Sequence, residues 1–403
     1  MPSVQEKVQS VALAHTPVKL QDIEDQGRRA LDKVHQLRGR ILSPLARKSA
    51  PIISSTDLAE LCRIEKHALT YRLSKDDLPG GTVLAAGRRR EFTLAEAQQW
   101  VRAYRAPSLR PEGAPACTVA LGNFKGGSTK TTTSMTLAQG LSLRGHRVLA
   151  IDLDPQASLS QLFGILSDAE VEDDQTLTEL FLGDQPTVDY AIRETYWPGI
   201  DVIPASSALF NTEFLLPARQ VKEREFRFWD VLNAGLVNAR KTYDVIIIDT
   251  PPALSYLTIN GFMASDGIIV PVPPGSLDFA SSAHFWHLFG EIAGGLGRRR
   301  QIEKEYSFIH VLLSRVNTQD AASAAVRQWI TEVYGDKVLP VVIPQTAVTS
   351  YASAMFGTIY DLEKYDGSRK TFQRAKEAYD GFCELIEQSI HQYWSYGPFP
   401  AKE

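Results

Sequence analysis

Two lysines five residues apart, Lys125 and Lys130, bracket a run of small residues, Gly126-Gly127-Ser128-Thr129, and two hydroxyls follow at once, Thr131 and Thr132. Ammonium groups, glycine amides and hydroxyls in this order suit a nucleoside triphosphate. Glycine lets backbone N–H groups turn toward phosphate oxygens, Lys130 reaches the β- and γ-phosphates, and the Thr131 hydroxyl offers Mg²⁺ a hard oxygen ligand. Three carboxylates extend the set. Asp152 and Asp154 stand two apart in Asp152-Leu153-Asp154-Pro155-Gln156, a spacing that points both to one side of an extended chain. Asp249 closes the apolar run 245–248 and precedes Thr250-Pro251-Pro252. An aspartate at the end of such a strand is placed to bind Mg²⁺, directly or through water, and the proline pair suits a switch segment that senses the γ-phosphate. The plainer alternatives are a solvated turn with incidental lysines and an aspartate that caps a turn.

Positioning these groups requires a strand, a loop and a helix N-terminus in succession. The apolar run 116–121 breaks at Gly122 into the loop, and 132–143 reads as the helix. The next strand, 147–151, delivers Asp152 and Asp154 at its carboxyl end, where ligands bind in open α/β sheets. Further strands at 200–204, 243–249, 267–272, 307–313 and 338–343 alternate with helical patterns, the last at 369–394. The expected fold class is α/β: a mostly parallel, doubly wound sheet of roughly seven strands covered on both faces. The base of the nucleotide would fall at the ends of the later strands, near Asn317 and Pro344.

The front of the chain reads differently. Residues 1–110 hold 19 Lys and Arg against 12 Asp and Glu, whereas the remainder holds 24 against 35, so a net charge of −4 conceals a basic front end suited to an anionic partner such as nucleic acid. Within 1–46, steps of three and four through Leu20, Ile23, Gly27, Ala30, Val34, Leu37 and Ile41 trace a helical arm with a narrow apolar seam. That seam fits either a second copy or the rest of its own chain. In 47–106, Ser55-Thr56-Asp57 opens a short helix, Cys62-Arg63-Ile64 turns, and 65–73 forms a second helix carrying Lys66, His67, Thr70, Tyr71 and Arg72. This is a helix-turn-helix layout, with polar and basic side chains for a major groove. Two extended pieces, 80–84 and 87–93, can pair as a wing with Arg88, Arg89 and Arg90 on phosphates. A packing or dimer role for this module is the alternative. Proline and glycine make 107–116 a linker, and 117–403 is left for the nucleotide domain.

Composition removes several classes. With 44% hydrophobic and 22% charged residues the chain is an ordinary globular one, and no apolar run is long enough to span a membrane. Cys62, Cys117 and Cys383 are scattered, which disfavours a disulfide framework, an Fe–S cluster or a cysteine metal site and fits a reducing cytosol.

The motif Lys125-Gly126-Gly127-Ser128-Thr129-Lys130-Thr131 resembles the deviant Walker A loop of the ParA/MinD ATPases, and Asp152–Gln156, Ile203-Pro204-Ala205-Ser206, Asp249–Pro252 and Ile343-Pro344-Gln345 extend the likeness over most of the chain. With an arm and a DNA-binding module in front, it is most similar to the long plasmid-partition ParA proteins (type Ia). The resemblance implies ATP, ADP and Mg²⁺ as ligands, and a sandwich homodimer in which Lys125 reaches the partner's phosphates. It further implies Asp154 as the residue that positions water, and Asp152 near the metal. Other implied properties are binding to nonspecific DNA, repression of the protein's own operon at an operator, and stimulation by a ParB-type centromere-binding protein, all in the cytoplasm on the bacterial nucleoid. Thr129 departs from the family pattern, which often has glycine there. Arg298, Arg299 and Arg300, or Arg369, Lys370 and Arg374, are candidates for the nonspecific DNA surface. A nucleotide-responsive regulator with incidental hydrolysis is the competing function. A membrane-bound MinD-like role is disfavoured by a proline-broken tail without a lysine cluster.

Overall fold

The computed structural model describes residues 19–41, 48–75, 77–84, 89–223, 225–300, 304–317, 319–362 and 365–396. The chain divides into two units, 1–48 and 49–403. In the first, helix α1 (Leu20–Ile41) is steadied at its start by Asp22, whose Oδ2 accepts the Lys19 N–H at 2.8 Å, and by an Arg28–Glu24 pair one turn apart. Its seam residues Leu20, Ile23, Val34 and Leu37 are exposed.

The second unit begins with β1 (Ile53–Ser54), α2 (Ser55–Leu61), α3 (Lys66–Leu73), β2 (Thr82–Val83), β3 (Arg90–Phe92) and α4 (Leu94–Tyr104). Ser54 caps α2 by accepting the Asp57 N–H, Arg63 takes a left-handed φ of 56° in the turn, and Thr93 with Glu96 forms a capping box on α4. The three strands pair antiparallel in the order β1-β3-β2; β1, only two residues long, has no sequence signature. Leu58, Leu69, Phe92, Leu94 and Trp100 close a core that runs without a break into the large sheet.

The stretch expected to be a linker is instead pinned. The Arg110 guanidinium donates to the Asp244 carboxylate and to the carbonyls of Ala114, Arg240 and Lys241. The module is also tied down by Arg63–Glu384 at 3.0 Å and a buried Arg105–Glu387 pair at 2.9 Å. Counting prolines and glycines could not reveal those partners, which, Ala114 apart, lie more than a hundred residues away in sequence.

The large sheet consists of β4 (Cys117–Leu121), β5 (Val148–Asp152), β6 (Arg193–Glu194), β7 (Ile200–Ile203), β8 (Val245–Asp249), β9 (Gly267–Val272), β10 (Phe308–Val316) and β11 (Val338–Pro344), in the order β11-β10-β9-β4-β8-β5-β7-β6. The seven strands expected from apolar runs are parallel; the eighth, β6, is an antiparallel edge piece of one arginine and one glutamate, invisible to hydropathy. Helices cover both faces, among them α5 (Lys130–Leu143), α6 (Ser276–Arg300) and α7 (Arg369–Tyr396). In β8, Val245 and Ile247 join the core that holds Leu137 and Phe382, while Ile246 and Ile248 join the one that holds Phe262 and Phe285. Burial on both faces explains the unbroken apolar run, each such side chain contributing about 1.5–3 kcal/mol. Arg298–Arg300, candidates for the nonspecific DNA surface, close helix α6.

Candidate nucleotide site and DNA-facing module

Parallel register brings the chemistry to one edge. Leu121 of β4 pairs with Asp249 of β8, and Asp249 pairs with Asp152 of β5, so the loop and two carboxylates leave adjacent strands side by side. At Gly122 an added Cβ would lie 2.2 Å from the Phe262 ring, so a side chain is excluded there by packing. Asn123 donates to the Pro271 carbonyl at 2.8 Å and anchors the outgoing limb. Over Gly126 and Gly127 an added Cβ would meet nothing within 4 Å, and Gly127 adopts φ +77°.

Helix α5 starts at Lys130, two residues before the expected 132, so Lys130, Thr131 and Thr132 all lie on its first turn, where free N–H groups and the helix dipole favour an anion. Thr129, the departure from glycine, is the residue before that turn and sits at φ 70°, ψ 14°. A β-branched residue in the left-handed region is strained. Thr129→Gly is therefore expected to raise unfolding stability by about 1 kcal/mol; a midpoint unchanged or lowered in chemical denaturation would contradict the strain.

The Thr131 hydroxyl donates to Asp249 Oδ2 at 2.7 Å and the Ser134 hydroxyl to Oδ1 at 2.8 Å. Burial raises Asp249 to about 6 against the opposing pull of Thr131 and Lys130, while burial lowers Lys130 despite Asp249 and Asp154 nearby. Desolvated opposite charges in one small space are typical of functional sites. Asp154, largely buried, holds its Oδ1 against the Gln156 N–H at 3.0 Å, and burial raises its pKa against the attraction of Lys130.

Asp152, expected near the metal, lies beside Asp249 and is held by hydrogen bonds within the chain. Its Oδ2 accepts both the N–H and the hydroxyl of Ser160 at 2.8 Å, and its Oδ1 accepts the Asp154 N–H at 3.1 Å. Fully buried and beside Asp249, it is pushed up to about 8. The two aspartates take different partners, Ser160 and the Gln156 N–H, since β5 ends at Asp152 and the two-residue alternation holds only within a strand.

The residues present fit a triphosphate and a hard divalent cation. Thr131 and Asp249 bring hydroxyl and carboxylate oxygens together, Ser128 Oγ is buried without a hydrogen-bond partner, and the glycines leave open space above the loop. Asn317 and Pro344 line one cleft with Val316, Gln319, Gln345 and Arg374, so Arg374, a candidate for DNA, borders the place expected for the base. Sequence reading missed several neighbours. Ser134 lies four residues after Lys130, a helical spacing that could have revealed it. Ser160 and Asp278 carry no motif. Arg315, at φ 51°, directs its guanidinium to the Gly127 carbonyl at 3.4 Å. Lys125 forms an ion pair with Asp278 at 2.8 Å.

In the front module, Lys66, Thr70, Arg89 and Arg90 line one cleft between α3 and the β2–β3 pair, with Ser55, Leu69 and Val83. Tyr71 is exposed beneath the Lys75 ammonium. Arg72, expected to face a major groove, and Arg90, expected on phosphates, have partners in the chain: Arg72 pairs with Asp77, and Arg90 donates to the Gly80 carbonyl. Arg88 lies outside the described residues.

A cluster of His146, Glu387 and His391 has the spacing of a metal site, but both Glu387 oxygens accept from Arg105 Nη2, and His391 meets the Ser108 carbonyl. Two guanidinium groups beside Glu387 disfavour a cation there.

A family model described as an AAA domain matches residues 116–299. The chromosome partitioning protein ParA of Caulobacter vibrioides is 34% identical over 266 residues, 65% of this chain and 94% of that protein. The chain belongs to the ParA family of Walker-type ATPases. Within that family, a protein of Rhizobium rhizogenes named, provisionally, replication protein A is 34% identical over 281 residues, 68% of either chain. A solved structure titled partition protein shares the fold with a TM-score of 0.62 at 20% identity, covering 91% of this chain and 99% of its own. No described helix is long and apolar enough to cross a membrane.

Proposed function

We propose that this ParA-family chain is a DNA-partition ATPase that hydrolyses ATP to ADP and phosphate as a homodimer. The observation that carries the reading is the Thr131–Asp249 contact at the mouth of the Lys130 loop, which sets a metal-binding hydroxyl and carboxylate beside a phosphate-reaching ammonium. Thr131 and Asp249 would hold Mg²⁺, which would supply charge neutralisation for the phosphates. The loop amides of 126–131 cradle the phosphates, and Lys130 offsets charge that develops as the bond to the leaving oxygen breaks. Asp154 orients the attacking water and takes its proton. Asp152 supports this from behind: with both oxygens held by Ser160 and the Asp154 N–H, it fixes the turn that aims Asp154. The partner's Lys125 completes the site, and the cleft at Asn317 and Pro344 takes the adenine.

The exposed residues Lys66, Thr70, Tyr71 and Arg89 are the surface we assign to operator DNA, with Arg88 from the same segment. Nonspecific DNA in the ATP state, a ParB-type centromere-binding partner and residence on the nucleoid complete the reading. ATP turnover measured with random DNA, with the centromere-binding protein and with both is expected to rise synergistically. Turnover that neither addition changes would favour the second reading, a nucleotide-responsive replication or transcription regulator, for which the replication name of the Rhizobium relative is the supporting observation.

A further inference from the structure

We infer that Arg315 is a positioning residue that, with Ser314, turns the amides of the glycine loop toward the nucleotide, a role that rests on that loop being the phosphate site. Strand β10 breaks its own pattern beside the loop. From Leu313, paired with Val342, to Val316, paired with Pro344, it takes three steps where β11 takes two. The extra residue makes a bulge, and inside it Arg315 adopts a left-handed φ of 51°. That backbone is unfavourable for a residue with a Cβ, and strain of this kind gathers at functional sites.

The bulge changes where two side chains aim. In a regular strand those of 314 and 315 would leave on opposite faces. Here both reach the same loop: the buried Ser314 hydroxyl donates to the Ser128 carbonyl and the exposed Arg315 Nη1 to the Gly127 carbonyl, each at 3.4 Å. A trans peptide points its C=O and the following N–H in opposite directions. Carbonyls 127 and 128 drawn toward β10 therefore send the N–H groups of Ser128 and Thr129 the other way, into the hollow that Lys130 spans with its Nζ 3.3 Å from the Lys125 carbonyl.

Gly126 and Gly127 give the loop the most permissive backbone a chain can have, so its amides need an outside hold to stay aimed. Donors from β10 fix two consecutive peptide planes before nucleotide arrives, and less freedom is then lost on binding. Because both donors grip the loop rather than the ligand, they favour ATP and ADP alike.

The test is the affinity of the full chain for fluorescent ATP and ADP analogues with Mg²⁺, read beside the midpoint of chemical denaturation. Arg315→Gly removes the guanidinium and relieves the left-handed strain. It should weaken both nucleotides by about fivefold, the worth of one net hydrogen bond, while the midpoint holds or rises. Arg315→Lys, which keeps an N–H donor at the end of its chain, should restore most of the affinity. Affinity and midpoint falling together in Arg315→Gly would make the residue merely structural and overturn the inference. Loss of ATP binding with ADP binding intact would put the guanidinium on the γ-phosphate and overturn it too. If Lys130→Ala abolishes binding while Arg315→Gly binds like wild type, only the positioning role falls. If Lys130→Ala binds both nucleotides like wild type, the phosphate-site reading falls with it.

Discussion

Alanine at Asp154 is expected to cut ATP turnover by about 10²–10⁴-fold while ATP binding changes little. The difference follows from what the side chain touches. Asp154 is fixed by the Gln156 N–H and lies near enough to Lys130 to feel its charge, but the amides and hydroxyls that cradle phosphate come from the loop and the first turn of α5. In the proposed role of Asp154, removing the carboxylate takes away the group that aligns water and leaves the grip on nucleotide intact. Phosphate release checked beside the binding of a fluorescent ATP analogue separates the two effects. Turnover within a few-fold of wild type would move the water-positioning role to another residue. Loss of binding in step with turnover would instead mean that Asp154 shapes the loop.

The second large effect is on the fold. Glu387→Gln is expected to destabilise the protein by about 3–5 kcal/mol, because it strips the counter-charge from a buried Arg105. Burial by itself would raise the Glu387 carboxyl, but the His146 ring and the Arg105 guanidinium outweigh it and hold it down at about 2, below the ordinary 4.5. A depressed carboxyl adds stability that is fully present above its unfolded value and is lost as pH falls toward the folded one. Wild type should accordingly lose stability steeply between pH 4.5 and about 2, and the Glu387→Gln variant less steeply. Equal acid slopes in denaturant titrations at a series of pH values would contradict the assignment. The same pair fastens the front module to α7, so its loss should also loosen α4 in hydrogen exchange.

The parts of this molecule that were legible in its sequence are those where local chemistry and local structure coincide. Strands such as β8 and β9 are buried on both faces and therefore read as unbroken apolar runs. The loop lysines, Thr131 and Asp249 were legible because strand, loop and helix follow one another along the chain, and parallel pairing of β4 with β8 then sets them side by side. What escaped was set by partners that meet only in the folded chain, most of them distant in sequence. Asp278 meets Lys125 across 153 residues with no motif of its own, and the hold of Ser160 on Asp152 has no motif either. The 107–116 stretch has a linker's composition, but Asp244 and the carbonyls of Arg240 and Lys241 fix it through Arg110. Arg72 and Arg90 read as free cations because Asp77 and the Gly80 carbonyl, though near in sequence, meet them only in the folded module.

The central claim is that each active site is shared, with Lys125 acting on the nucleotide of the opposite subunit. Its most direct measurement is ATP turnover in an equimolar mixture of two separately inactive variants, Lys125→Ala and Asp154→Ala, at concentrations that drive dimerisation. A mixed dimer then holds one site with an intact Asp154 and a lysine contributed from across the interface, and the mixture should recover roughly a quarter of the wild-type rate. A mixture as inactive as its components would place Lys125 in its own subunit's site and contradict the account.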